Sequence, residues 1–520
     1  MATRLRALRI GTAAIAGSIA LAAAASPAAA EILPRPEQIA SQREAPALNR
    51  LIALVTGPEA DRSDPLPELD AMLREAPGPT PLRGYIQYLR AFQLAHANRG
   101  GEAGAAIDES IRLLPSFTGP LMLATSIEAF NDRPAEAADA LLRAIALAPE
   151  DARGFPDFEL SNLVVRLGER HDERRLNLLA RRLFEIGARM SDLVLRSTLA
   201  RGLIRARVQA GDIAGASAVL PNLALPEHAR ELLLMNEYRA LWPNVEAWTG
   251  PRQSRQWEAY LRETGARWRA SRDPELASPY VRALLRAGHF ETIVREMLPA
   301  LMGPLDRLED YDQVWSFSPV ATALARLGRW DEADALFSRA LLIWPLGADA
   351  NALNFVANRA RLRLYRGDSA GALSAIDAAL ADVPRWGGAV SPGPLAAMHF
   401  IRACALHRLG RDGEALSSVA AVAQAGPLAT IVDLYLCLDR PDSARTALID
   451  ALGRDGTRAD AVEFVQPDGS PPMPSEFGRE LAARRDRLRR DPALREAALR
   501  HGRILPYAAE AGAPAEAAAP

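Results

Sequence analysis

The 520-residue sequence contains no lysine, so arginine supplies all 62 basic residues against 64 acids. That absence excludes a Walker-type phosphate-binding lysine, a pyridoxal-phosphate Schiff base and a lysine general base. Cysteine is scarce too, with only Cys404 and Cys437. Two cysteines in so long a chain make no disulfide framework, and no CxxC spacing exists to hold zinc. Aromatic residues are few, at 6%. After the first thirty residues no apolar run approaches the roughly 20 residues needed to span a bilayer. Period-two alternation of β-branched residues with hairpin turns is also missing, which excludes a mainly β architecture.

What is present is alanine, the best helix former, whose small side chain lets helices approach closely. Hydrophobic residues make up 49% and charged residues 24%, the balance of a folded chain and not of a disordered one. The composition predicts an all-α protein.

Residues 1–30 read as a secretory signal peptide. Arg4, Arg6 and Arg9 precede an apolar stretch from Ile10 to Ala25, and Ala28-Ala29-Ala30 fits small-residue cleavage before Glu31. The apolar stretch is shorter than a membrane span. No cysteine follows it to carry a lipid. The expectation is therefore a cleaved, periplasmic protein with no transmembrane span. Removing residues 1–30 takes three arginines and no acids from a chain of net charge −2. The mature chain is mildly acidic, which gives it no electrostatic reason to bind nucleic acid.

Along most of the chain one unit recurs. An apolar-periodic helix ends in a Gly- or Asp-containing turn, and an Ala-rich helix follows and closes with Pro. The clearest copy is 316–345, with Ala321, Leu324, Gly328, Ala333, Phe337, Ala340 and Pro345. Residues 353–384 carry Ala360, Gly367, Ala372, Ile376, Ala379 and Pro384. Residues 396–427 carry Ala403, Leu406, Gly410, Ala415 and Pro427. Two more copies lie at 84–115 (Ala91, Leu94, Ala103, Ile107, Pro115) and 118–149 (Ala137, Leu141, Ala144, Pro149). Looser copies centre on Gly211 with Ala216, on Gly288, and on Ala444 with Leu448. These positions resemble the tetratricopeptide repeat, a helix–turn–helix of 34 residues with small and large apolar residues at fixed places. The resemblance implies a right-handed α-solenoid that holds partners and does not catalyse. It departs from the family in spacing, since Pro345, Pro384 and Pro427 are 39 and 43 residues apart.

The expected organisation follows in order. A lead segment (31–60) precedes tetratricopeptide-like repeats at 61–150, degenerate helical repeats at 151–310 and repeats at 311–465. A linker with capping helices (466–507) and a disordered tail (508–520) close the chain. Residues 31–45 read as extended, the Pro-rich stretches 65–81 and 385–394 as loops, and 488–499 as a terminal capping helix.

Few constellations offer chemistry. Gly367-Asp368-Ser369-Ala370-Gly371 matches G-x-S-x-G, but the nucleophile elbow needs a preceding strand, and here a helix precedes it. The same phrase without serine occurs at 211–216. The histidines, His96, His171, His228, His289, His399, His407 and His501, form no close metal pair. No catalytic residue, cofactor or metal is expected. All eight tryptophans fall between 242 and 386, as core filling or as an aromatic groove. Placed on the axes of neighbouring first helices, Cys404 and Cys437 are offset by four residues, about 6 Å, plus about 8–10 Å between axes. That predicts two unpaired, buried thiols, because a bridge needs Cα atoms within about 7 Å.

In the tetratricopeptide family partners lie against the first helix of each repeat. The resemblance places Trp315, Thr322, Arg326, Asn354, Arg361, Tyr365, Phe400, His407 and Arg408 on that surface. Their mix of aromatics and arginine suits an extended or acidic peptide. The expected function is an exported interaction scaffold in the bacterial envelope. The alternatives are a carbohydrate-binding scaffold, resting on the tryptophans, and a hydrolase with an unrecognised site in 150–310.

Overall fold

The computed structural model describes residues 33–56, 64–271, 274–303, 314–347, 350–387, 390–469 and 471–508. The expected signal peptide, and all but the first residue of the expected tail, lie outside them. The described residues are helical with no strand beyond one isolated bridge. The chain is an all-α array of tetratricopeptide-like helical hairpins, divided into two compact units, Met1–Leu223 and Ala224–Pro520.

In the first unit, α1 (Ala45–Thr56) and α2 (Leu66–Glu75) precede four hairpins. These are α3 (Pro81–His96) with α4 (Gly100–Leu113), α5 (Thr118–Phe130) with α6 (Pro134–Leu147), α7 (Asp157–Glu169) with α8 (Glu173–Glu185), and α9 (Leu193–Gln209) with α10 (Ile213–Val219). Two expectations change here. The segment read as extended winds into helical turns, because the Ser41 backbone N–H donates to Glu44 at 2.9 Å in a capping box. The Pro-rich stretch 65–81 contains α2, since Pro67 falls in the first turn, where its missing N–H costs nothing. Leu69 and Met72 then pack with Leu51, Leu82 and Ile86.

The second unit opens on short helices, α11 (Pro226–Leu234) and α12 (Trp242–Thr249), followed by the long α13 (Ser254–Ser271). Five hairpins follow: α14 (Pro274–Arg286) with α15 (Phe290–Leu301), α16 (Val314–Arg326) with α17 (Trp330–Ile343), α18 (Asn351–Arg366) with α19 (Ser369–Trp386), α20 (Pro392–Arg408) with α21 (Asp412–Ala425), and α22 (Leu428–Cys437) with α23 (Pro441–Leu452). Then come α24 (Asp455–Phe464), α25 (Glu476–Arg489) and α26 (Pro492–Leu499). The run 488–499 is thus not one helix: Asp491 caps the backbone N–H of Leu494 and starts α26 afresh.

Each hairpin turn holds one residue at positive φ. Five are glycines (Gly211, Gly288, Gly328, Gly367, Gly410), and the others are Asn98, Asp132, His171 and Asp439. The alanines beside the turns, Ala103, Ala137, Ala333, Ala372, Ala415 and Ala444, are all buried to within 2%. They let each second helix sit close against its first helix, while Leu324, Phe337 and their equivalents fill the seam. The closing prolines mark helix ends with one exception. Pro384 lies within α19, in its last turn.

The second unit joins its own ends. Arg230 on α11 meets Glu463 on α24 at 2.7 Å. The backbone N–H of Asn236 donates to the His501 carbonyl, and that of Arg503 donates to the Leu234 carbonyl. Arg503 also pairs with Glu246 at 2.6 Å and stacks its guanidinium 4.1 Å from the Trp242 ring.

The two cysteines are a correction. Cys404 on α20 and Cys437 at the end of α22 are joined in a disulfide, with Cα atoms 5.9 Å apart. The expected thiols failed because the spacing was taken between helix axes. Cα atoms on facing sides of two helices each stand about 2.3 Å inside that distance. The lateral gap therefore shrinks to about 4 Å, which brings the pair to the edge of bridging distance, and the observed 5.9 Å lies inside it.

Candidate functional site

The surface that matters is formed in the second unit by the first helices of successive hairpins. Its open part is a cleft of about 200 Å³ lined by Arg282 of α14, Trp315 and Ser318 of α16, and Asn354, Phe355 and Asn358 of α18. Trp315 is 41% exposed, whereas Trp268 and Trp344 are buried in the core. Trp344 packs with Phe317 and Phe355, with ring centroids 5.5–5.8 Å apart. Trp268 and Trp344 are thus core packing, and Trp315 is left at the surface.

Ser318 and Asn358 of the cleft belong to a hydrogen-bonded chain that continues behind it. The Thr322 hydroxyl donates to the Ser318 carbonyl at 2.8 Å. The Asn358 amide donates to the Ser318 hydroxyl at 3.1 Å, and its carbonyl accepts from Arg361 at 2.7 Å. Burial holds the Arg361 pKa below the usual arginine range. Among the described residues no carboxylate pairs with Arg361 or Arg282, although most arginines of this protein do pair, as Arg359 does with Asp334. The fold therefore brings Trp315 and Asn354 together in the cleft beside Arg282, while Thr322 and half-buried Arg361 lie behind it, joined to its Ser318 and Asn358.

The remaining residues from the sequence reading fare differently. Arg326 donates to the Pro471 carbonyl and lies 5.9 Å from the Phe290 ring, and burial lowers its pKa. Tyr365 packs on Phe477 at 5.4 Å. Arg408 stacks 4.6 Å from the same Phe477 ring and pairs with Glu480 at 3.2 Å. These three face the chain's own residues 471–480. His407 binds Asp412 at 2.6 Å across its hairpin turn. Phe400 is 7% exposed and belongs to the core.

Sequence reasoning missed Arg282, Ser318 and Asn358. Asn358 was legible in principle, since it falls one helical turn beyond Asn354 on the same face. Arg282 was not, because its repeat is among the looser ones.

Ser369 of the G-x-S-x-G phrase is 7% exposed and starts α19, with α18 before it. The phrase is a turn-and-cap device. Gly367 takes φ +103°, and the Asp368 carboxylate accepts from the Gly371 N–H at 2.8 Å. Asp212 does the same for Gly215 at 2.8 Å. Among the described residues no group of three or more His, Cys, Asp or Glu could hold a metal ion, and no helix is long and apolar enough to cross a membrane.

No family model matches the chain, and no curated protein does. Among solved structures it is similar to a chain in the structure titled Naa15/Naa10 bound to HypK-THB, at 15% identity over 88% of this chain and 79% of that one, with a TM-score of 0.23. It is also similar to yeast Tom70, at 13% identity over 83% of this chain and 94% of that one, with a TM-score of 0.32. At such scores the assignment of the fold rests on the hairpins themselves.

Proposed function

We propose that this chain is an exported, non-catalytic helical scaffold of the bacterial envelope, and that it holds a protein partner by an acidic, extended segment in the cleft between α14, α16 and α18. The observation that carries the reading is exposed Trp315 beside Arg282 in one cleft, with Arg361 bonded to the lining Asn358, neither arginine having a carboxylate partner among the described residues. A ring and a guanidinium group at the surface, with a second guanidinium behind them, suit a ligand with an apolar face and a carboxylate. Export rests on the signal-like residues 1–30. The absence of lysine and the buried, cap-bound setting of Ser369 favour a scaffold over a hydrolase.

The test places a photo-crosslinking amino acid at Trp315 in cells, with Leu342, 73% exposed on a second helix, as the control position. The expected result is a discrete adduct from position 315, lost in Arg282→Ala/Arg361→Ala and absent from position 342. Equal labelling from both positions, or none from 315, would overturn the reading. Fusion of residues 1–60 to alkaline phosphatase tests export, with activity expected only if they direct translocation.

A further inference from the structure

Beyond the open cleft, the same face is already occupied. Helix α25 lies across α18 and α22. Phe477, 2% exposed, is clamped between Tyr365 and Arg408. Glu480 pairs with Arg408 at 3.2 Å, and Leu481 is buried below it. Arg484 donates to the Cys437 carbonyl at 3.2 Å, at the C-terminal end of α22, and Arg485 meets Asp433 at 2.6 Å. Leu488 completes the buried edge. Gly478 permits the close entry, since a Cβ there would sit 2.6 Å from the Met473 carbonyl oxygen.

The style of these contacts differs from that of the hairpins. Ion pairs join the hairpins too, but the bulk of each hairpin seam is alanine and leucine packed with almost no exposure. Helix α25, EFGRELAARRDRLR, buries one aromatic, one glycine and two leucines, and is otherwise anchored by ion pairs and a cation–π contact. That is the make-up of an exchangeable interface, where an aromatic and arginines carry the anchoring.

We propose that the inner face of α18, α20 and α22 is a helix-binding surface whose resident ligand is the chain's own 476–489, and that the partner it takes is an amphipathic helix of the same pattern. The pattern is an aromatic, an acid three residues on, leucine at four, arginines at seven and eight, and leucine at eleven, as in Phe477, Glu480, Leu481, Arg484, Arg485 and Leu488. The inference extends the scaffold reading to a second subsite on the same side of the repeats, and it does not need the acidic ligand of the open cleft. Because the resident helix is tethered, it competes at an effective concentration near the millimolar range. A partner binds only where it outmatches that value or where the resident is weakened.

The experiment uses the full chain and a fluorescein-labelled peptide of residues 474–491, read by anisotropy. Phe477→Ala/Arg485→Ala should bind the peptide at least tenfold more tightly than wild type does. Adding Arg408→Ala and Asp433→Ala on the receiving face should remove that gain. Equal affinity for wild type and the weakened chain, or a gain indifferent to Arg408 and Asp433, would overturn the proposal. Should the weakened chain lose its helical circular dichroism, the wild-type chain decides. Millimolar unlabelled peptide should speed hydrogen exchange in 476–489 while leaving 84–149 unchanged, and no change in 476–489 would overturn the proposal equally. Crosslinking at Trp315 is untouched by any of these outcomes, so the two readings fail separately.

Discussion

Asp368 and Asp212 show how little a turn needs. Each follows a glycine at positive φ and caps the N–H of a second glycine three residues on. A Cβ on Gly371 would overlap the Asp368 carboxylate, so Gly371→Ala must break the cap. We expect a loss of about 1 kcal/mol in urea unfolding, with Ser369→Ala near neutral. The glycine turns were legible because only glycine adopts φ near +75° without strain. Asn98, Asp132, His171 and Asp439 do the same job less visibly, since short polar residues tolerate that region but occur everywhere. A further signal went unread. Arg99–Glu102, Arg329–Glu332 and Arg411–Glu414 pair at 2.6–2.7 Å, each binding the start of a second helix to itself. The disulfide belongs to this scale as well. Closing a loop of 33 residues of separation is worth about 3–4 kcal/mol in the chain-entropy account. Unfolded, unreduced protein should titrate no free thiol, and reduction should lower the melting temperature of the second unit.

Between elements, ion pairs set the register of one hairpin on the next. Asp334 of α17 accepts from Arg359 at 2.7 Å and from Arg363 at 3.2 Å, both on α18. The Arg359 hydrogen bond, outweighing desolvation, holds the Asp334 carboxyl below its ordinary range. The folded state therefore binds its proton less readily than the unfolded state does. The stabilisation is complete above the ordinary aspartate pKa of about 4 and disappears as pH falls through the lower folded value. Asp334→Asn should cost about 1 kcal/mol at pH 7, and the gap in melting temperature between wild type and variant should close towards pH 3. Hairpins with alanine at the seam were readable from sequence because close approach demands small residues at fixed spacing. Helix α25 was readable only as a helix. Its eight charged residues of fourteen suggest a solvated cap, and nothing local says that Phe477 and Arg485 will turn inward onto Tyr365 and Asp433. Such a placement depends on partners 52 and more residues away.

At the scale of each whole unit, the first behaves as an ordinary stack, in which every hairpin touches its neighbours. The second does not, because residues 500–505 fasten its end to its beginning through Asn236, Leu234 and Glu246. Ending the chain after residue 499 should therefore raise hydrogen exchange in 226–249 and leave 84–149 as it was. Protection unchanged in 226–249 would show that the Arg230–Glu463 contact suffices alone. A repeat array normally frays from its ends and can begin folding anywhere along its length. Joining the ends removes both freedoms. Contacts spanning 233–270 residues must form before the unit is complete, and such non-local closure is slow compared with the local pairing of each hairpin. A chain emerging from a ribosome would keep this unit unfinished until residues 500–505 had appeared. Once closed, the unit holds residues 226–249 and 500–505 against each other, so neither segment can fray without breaking the other's contacts.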